Sequence, residues 1–442
     1  MLSLMDNAVL RAQHAIPKAG IDGGPWPQPV AAGGPTARLL RALLPSPLDF
    51  LETVQSSRCA WDVWRGVLPI ASLPCGDKIT KDQSNQIAEQ VSQTLLTDSI
   101  GILVKLLMGL AICLQQLPQE FESTHTGLPA PPASLQEEAI AAAESVLAAD
   151  QRIADTIDGL ECMIIQSKYY INMGKPRTAW LIGQRALSTC HVFGVHNGSG
   201  DQSDETRSRW EAVRLKFWNR DRQLSLLLGL PYASPLLQRD LPTVDDAYIN
   251  TQGSRAIWMQ LGVFSGHVTD RNLDPKKATF SQTLDIDHEM ETFKSALPFE
   301  RLESPSDPNL SLQAIEDIFL SRFIFHNIRK LLHLPYMLMA MTDKRFEYSR
   351  DAALNASREM LGIYLILRDP VRPVLSICKL EDFHTLTAAM VLIINLLGRP
   401  ANPVDLQDAE RDWLLVQDVA EEFRSLKVLR GCSVAKQGSR QK

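Results

Sequence analysis

The sequence predicts an all-α fold, a large multi-helix bundle of antiparallel helices joined by long loops. Three observations carry this. Long alanine- and leucine-rich runs place apolar residues at i, i+3 and i+4, as in LQEEAIAAAESVLAADQRIADTIDGLECMIIQSKYYIN. Glycines and prolines cut the remaining text into helices of ordinary length. The strand–helix alternation that builds a parallel sheet occurs nowhere.

Taken in order, residues 1–47 are rich in proline and glycine (IPKAGIDGGPWPQPVAAGGP) and read as a flexible arm, so that folding begins near residue 48. A helical domain is expected over 48–430, with linkers near 122–134 and 272–311, the second carrying at most one short helix. Residues 431–442 form a basic polar tail. Two apolar segments, 100–117 and 386–397, are expected as buried helices: Lys105 sits inside the first and the second is too short to span a bilayer. Helical spacing over 312–332, 345–367, 380–397 and 405–429 closes the chain, with Pro335, Pro370, Pro373 and Pro400 expected at the boundaries.

Composition narrows the function classes. A hydrophobic share of 45% can build a sizeable core, and a net charge of -6 creates no broad positive field to attract nucleic acid. Seven cysteines, scattered singly, argue for a reducing compartment rather than a disulfide framework. The first residues carry Asp6 within their apolar stretch, which is unlike a signal peptide.

Chemical motifs are sparse. No two cysteines stand two residues apart, so no zinc site of the usual spacing is expected. The run Asp285, Asp287, His288, Glu289 and Glu291 reads as a solvated acidic loop rather than a metal site. His326 and His333 lie two helical turns apart and could face one cavity, whereas His191 and His196 flank a helix end at Gly194 and suit capping. Gly262-Val-Phe-Ser-Gly266 misplaces the serine for a nucleophile elbow, and no phosphate-binding glycine loop is present. Catalytic, cofactor and metal residues are therefore all expected to be none. Residues 169–187, with small residues at Ala179 and Ala186, suit an antiparallel helix pair.

The segment Arg207–Pro231 is the most informative. Trp210, Val213, Phe217, Leu224, Leu227 and Leu228 form an apolar stripe, while Arg207, Arg209, Arg214, Lys216 and Arg220 are expected on a basic face toward solvent. Asp221 falls on the stripe, so its carboxylate needs Arg222, Arg185 or free amides as partners.

This segment and the one before it resemble the middle homology region of fungal zinc-cluster transcription regulators. The residues that carry the resemblance are Gly174, Ala179-Trp180, Gly183, Arg185-Ala186 and Phe193-Gly194-Val195-His196. Arg207, Arg209, Phe217-Trp218, Asp221-Arg222, Leu224-Ser225 and Leu228-Gly229-Leu230-Pro231 then follow. His333-Leu-Pro-Tyr336, Ser349-Arg350, Ala356, Phe383-His-Thr385 and Ala388-Ala389 extend it, so that it covers roughly 65–400. Leu230 stands where that family has arginine, and this sequence contains neither the six-cysteine DNA-binding module nor the heptad linker. The resemblance implies a nuclear or nucleocytoplasmic regulatory domain that controls a gene set such as a secondary-metabolite cluster. It implies action through other regulators or co-regulators and response to a small-molecule effector, without direct DNA binding, a cofactor or a membrane. The alternative is a pathway enzyme or small-molecule binder with an apolar pocket holding His326, His333, Tyr336 or Asp221.

Overall fold

In the computed structural model, the chain is described over residues 34–57, 99–117, 127–192, 204–233, 254–296 except 275 and 277, 312–368, 378–398 and 406–430, with a few positions between 89 and 96. Within these residues every extended element is a helix. They are α1 (Pro35–Ala42), α2 (Pro47–Ser56), α3 (Ile100–Gln115), α4 (Pro132–Ala149), the single turn α5 (Gln151–Ala154), α6 (Ile157–Asn172) and α7 (Pro176–Val192). There follow α8 (Asp204–Leu228), α9 (Ser254–Leu273), α10 (Phe280–Ala296), α11 (Leu312–Ala340), α12 (Glu347–Leu367), α13 (Lys379–Gly398) and α14 (Leu406–Arg430).

Several boundaries differ from expectation. Helix begins at Pro35, inside the expected arm, because Ala37 and Leu40 pack into the first core; residues 1–33 lie outside the described residues, as does the tail 431–442. Proline opens α1, α2 and α4 at the first or second helical position, where its missing N–H costs nothing. The expected linker 272–311 contains α10, a helix of 17 residues. Polar residues on its solvent side hid an apolar stripe of Ile286, Met290 and Phe293, all buried. Pro335 lies within α11 rather than at its end. It cannot donate to the Leu331 carbonyl four residues back, and the neighbouring Leu332 carbonyl accepts from the buried Arg271 guanidinium (2.8 Å).

Three cores hold the helices. The first gathers α1 to α4, α6, α7 and the start of α8, and α3 at its centre is buried almost all round. The second joins α11, α12, α13 and α14, and the third lies between α9, α10 and the middle of α11. Lys105, inside α3 and 3% exposed, is accommodated by Glu161, with Asp158 at 4.0 Å. Arg209 of α8 completes the cluster at 3.0 Å from Asp158 and 2.9 Å from Glu161. Such a charge survives burial only when paired in this way. Helix α13 is long and apolar enough to cross a membrane by length and composition, yet Ala388, Val391 and Leu392 are buried in the second core.

Candidate functional site

The first site is the junction of α6, α7 and α8. Gly174 (φ +70°) and Gly229 (φ +65°) end α6 and α8 in the left-handed conformation. Lys175 N–H donates to the Tyr170 carbonyl and Leu230 N–H to that of Ser225, the hydrogen-bond pattern that closes a helix through such a glycine. Between these ends, Trp180 Nε1 donates to Ser225 Oγ (2.9 Å) and Gln184 Nε2 to Asp221 Oδ1 (2.6 Å). The other Asp221 oxygen accepts the Ala233 N–H (2.8 Å), and the Pro231 carbonyl accepts from Ser225 Oγ at 3.5 Å. Asp221 therefore secures the chain as it leaves α8. Its partners are a glutamine, a serine and a free amide. Arg185 instead reaches the Leu147 carbonyl (3.1 Å) and Gln151 (3.1 Å), near the end of α4. Gly194 and His196 lie outside the described residues.

Arg222 is 1% exposed, its guanidinium carbon 4.6 Å from the Trp218 ring and 4.1 Å from that of Tyr232. The two glycines that fail as a nucleophile elbow receive these side chains. A Cβ at Gly266 would stand 1.8 Å from Arg222 Nη1, and one at Gly262 would stand 2.5 Å from the Trp218 ring. Residues 218 and 222 on α8 thus fit 262 and 266 on α9, each pair one helical turn apart. The spacing was visible in the sequence, but which helix faced it was not. The expected basic face also turns inward: Arg214 is buried, Arg220 Nη1 donates to the Ile164 carbonyl (2.9 Å), and Arg209 joins the Lys105 cluster. Of those arginines and lysines, Lys216 is the exposed one whose side chain is described.

Burial pushes the Asp221 carboxyl up to about 6, against partial relief from Ala233 N–H and Arg222. A carboxyl whose folded value exceeds its unfolded value stabilises the protein increasingly as pH falls from about 7 toward 4. Asp221→Asn mimics the protonated form. Relative to the wild type, it is expected to raise thermal stability most at pH 7.5, by roughly 1–3 kcal/mol. The difference should shrink toward zero by pH 4; a difference independent of pH would contradict the assignment.

The second site joins α10, α11 and α12. The run 285–291, expected as a solvated loop, is helical, and Asp287 is 1% exposed. Its carboxylate receives Arg329 Nε (2.8 Å) and Nη2 (3.2 Å), Tyr348 Oη (2.5 Å) and His333 Nε2 (3.1 Å). His333 Nδ1 lies 2.9 Å from Ser349 Oγ. Asp, His and Ser therefore stand in a row, the connectivity that hydrolases use. Here His333 and Ser349 are both fully buried and Ser349 lies within α12, so no substrate reaches its hydroxyl. The row is a lock between three helices. His326 is also buried, beside Phe325 and under the influence of Lys294, Arg322 and Arg329. Tyr336 donates to the Ala278 carbonyl (3.0 Å) and stacks with Phe280 and Phe346. Among the described residues no group of three His, Cys, Asp or Glu is placed to hold a metal ion.

An open groove of about 660 Å³ lies between α11, α12 and α14. Its floor is apolar through Phe319, Ile363 and Leu415, and Arg322, Glu359 and Arg411 stand around it. None of the four residues proposed from sequence for a ligand pocket lines it.

The chain is similar to curated fungal proteins. It is 29% identical over 373 residues to a dehydrocurvularin biosynthesis regulator of Aspergillus terreus, which covers 81% of this chain and 50% of that protein. It is 27% identical over 354 residues to a dehydrocurvularin biosynthesis regulator of Alternaria cinerariae, covering 76% and 46%. With the transcription factor sdnS of Sordaria araneosa it shares 23% over 347 residues, covering 74% and 44%. The chain thus spans about half the length of the curated relatives it matches. No family model matches it, and no solved structure does.

Proposed function

We propose that this chain is the helical regulatory region of a fungal transcription regulator that controls a secondary-metabolite biosynthetic gene cluster. The observation that carries the reading is the similarity to biosynthesis regulators, which runs through 81% of the chain and through both sites described above. The geometry is consistent with it. The polar constellations tie helices together, the Asp287–His333–Ser349 row is sealed, and Arg209, Arg214 and Arg220 of α8 turn into the fold. We infer that the protein acts in the nucleus through other regulators or co-regulators rather than by catalysis, and that it reads no DNA with these residues.

The test is to delete the gene in its own host and measure transcripts of the neighbouring biosynthetic genes, with a gel-shift of the purified chain in parallel. Cluster transcripts should change while the gel-shift shows no sequence-specific complex. Unchanged transcripts would overturn the regulatory reading, and a specific complex would overturn the inferred dependence on partners.

A further inference from the structure

Lys330 lies on the face of α11 that builds the second core. Phe323 and Met337 stand two helical turns before and after it on the same face, and both are buried in that core. The lysine itself is 1% exposed. Its Nζ donates to Thr387 Oγ1 (2.7 Å) and to the His384 carbonyl (3.3 Å), so the end of the side chain is directed at α13. Lys105, similarly buried, has Glu161 and Asp158 beside it. Lys330 has two uncharged acceptors, and among the described residues no charged group of α9, α10, α12 or α14 offsets the burial of its amine. The ionisable group that faces it from α13 is His384, a buried ring that could add only a second positive charge. An ammonium carries three N–H donors and a neutral amine two. The site therefore completes the neutral amine and leaves the third donor of the ammonium, and its charge, without a counterpart in the protein.

We propose that Lys330 is a proton-operated latch: as a neutral amine it holds α13 on α11, and on taking a proton from solvent it loosens α13 and the contact that α13 makes with α6. That contact joins the second core to the first. Lys379, at the start of α13, lies against Gly174 at the end of α6, where an added Cβ would stand 3.1 Å from the lysine. Burial lowers the Lys330 amine to about 7 from an ordinary 10.5, so the loosening accrues as pH falls from 10.5 toward 7 and levels off below. The other shifted groups of this region act outside that window. His384, lowered to about 3 from 6.5, draws stability away only below 6.5. Glu381, set among Arg368, Asp382, Cys378 and Lys168 and raised by burial to about 7 from 4.5, tightens α13 as pH falls from about 7 toward 4.5. Burial holds the Cys378 thiol above its ordinary 9, beyond the alkaline side of neutrality.

Hydrogen exchange of the purified full chain tests this, read peptide by peptide at roughly pH 8.5 and roughly pH 7.5 and corrected for the intrinsic rate at each. Protection of the α13 amides should fall roughly fivefold to tenfold over that interval, while that of α7 in the first core stays level. Lys330→Met, which fills the same space and gains no proton, should show equal α13 protection at both values. Lys330→Arg, charged throughout, should show reduced protection at both. Glu381→Gln should keep the wild-type response. Level α13 protection in the wild type overturns the proposal whichever variants fold, and so does an equal fall in α7, which would mark global rather than local opening. A fall that survives Lys330→Met, or one that Glu381→Gln abolishes, also overturns it.

Discussion

Asp287→Ala is expected to destabilise the protein by about 3–5 kcal/mol, because it strips the counter-ion from a buried arginine and the polar partner from a buried histidine together. Asp287 accepts from Arg329, His333 and Tyr348, which reach it from two helices. Burial alone would raise its carboxyl, but the hydrogen bonds from His333 and Arg329 prevail and hold it well below the usual carboxylate range. Glu291, 2.6 Å from Arg329, remains in the variant and offsets part of the loss for the guanidinium, while His333 has no such substitute in its contacts. Denaturant unfolding followed by circular dichroism measures the effect, and a loss below about 1 kcal/mol would place the cluster among ordinary surface pairs. Asp287→Asn keeps the shape and an acceptor, so its cost should be smaller. The sign with pH follows from the lowered carboxyl. The stability that Asp287 contributes is present above its ordinary value of 3.8 and is lost as pH falls below it, a loss the Asp287→Asn variant should lack.

Gly266→Ala should be nearly as damaging, by roughly 2–4 kcal/mol, although it adds a single methyl group. Alanine is ordinarily the better helix residue, so propensity predicts the opposite sign. The added carbon would stand 1.8 Å from Arg222 Nη1. An arginine at a surface would swing aside, but this one is held between Trp218 and Tyr232 and is 1% exposed. Either the guanidinium leaves its aromatic slot or α8 and α9 separate. The double variant Arg222→Leu with Gly266→Ala distinguishes the cause, since the shorter side chain leaves room for the methyl. Its stability should exceed the sum expected from the two single changes, a coupling that thermal unfolding of all four proteins reports. Additive losses would mean that the contact is not the source.

Titration should reveal an opposition among buried groups. Burial lowers His326 and His384 to about 3 from an ordinary 6.5. They stay neutral in the folded chain and draw stability away as pH falls from 6.5 toward 3. Asp221, raised to about 6, and Glu381, raised to about 7, act in the other direction over the upper part of that range. Lys330, lowered to about 7 by burial between Thr387 and the His384 carbonyl, loses stabilising effect as pH falls from 10.5 toward 7.

The legible part of this molecule was its local pattern. Helix spacing and the glycines that end α6 and α8 depend on residues within a few positions of one another, and these read correctly from the text, whereas the helix starts at Pro35 and Pro132 were hidden in what read as an arm and a linker. Asp221 was recognisable as a carboxylate on an apolar stripe, because i+3 and i+4 neighbours define that stripe. Its partners were not, since Gln184 and the Ala233 amide are brought to it by the packing of α7 and by the turn after α8. The misreadings have one origin. A polar stretch such as 280–296 looks like a loop when its few buried residues face a helix far away in sequence, and the arginines of α8 look solvent-facing when their acceptors, Asp158, Glu161 and the Ile164 carbonyl, lie on α6.

By itself the sequence determined the all-α class, the placement of most helices and the chemical kind of each unusual residue, because those follow from backbone preference and from periodicity along one segment. Only the tertiary structure decided that Asp287, His333 and Ser349 form a sealed lock and that Gly262 and Gly266 open a slot for Trp218 and Arg222. Each of these depends on which faces meet. Contact between segments is set by the burial of the whole apolar surface at once, and no single stretch of text contains that information.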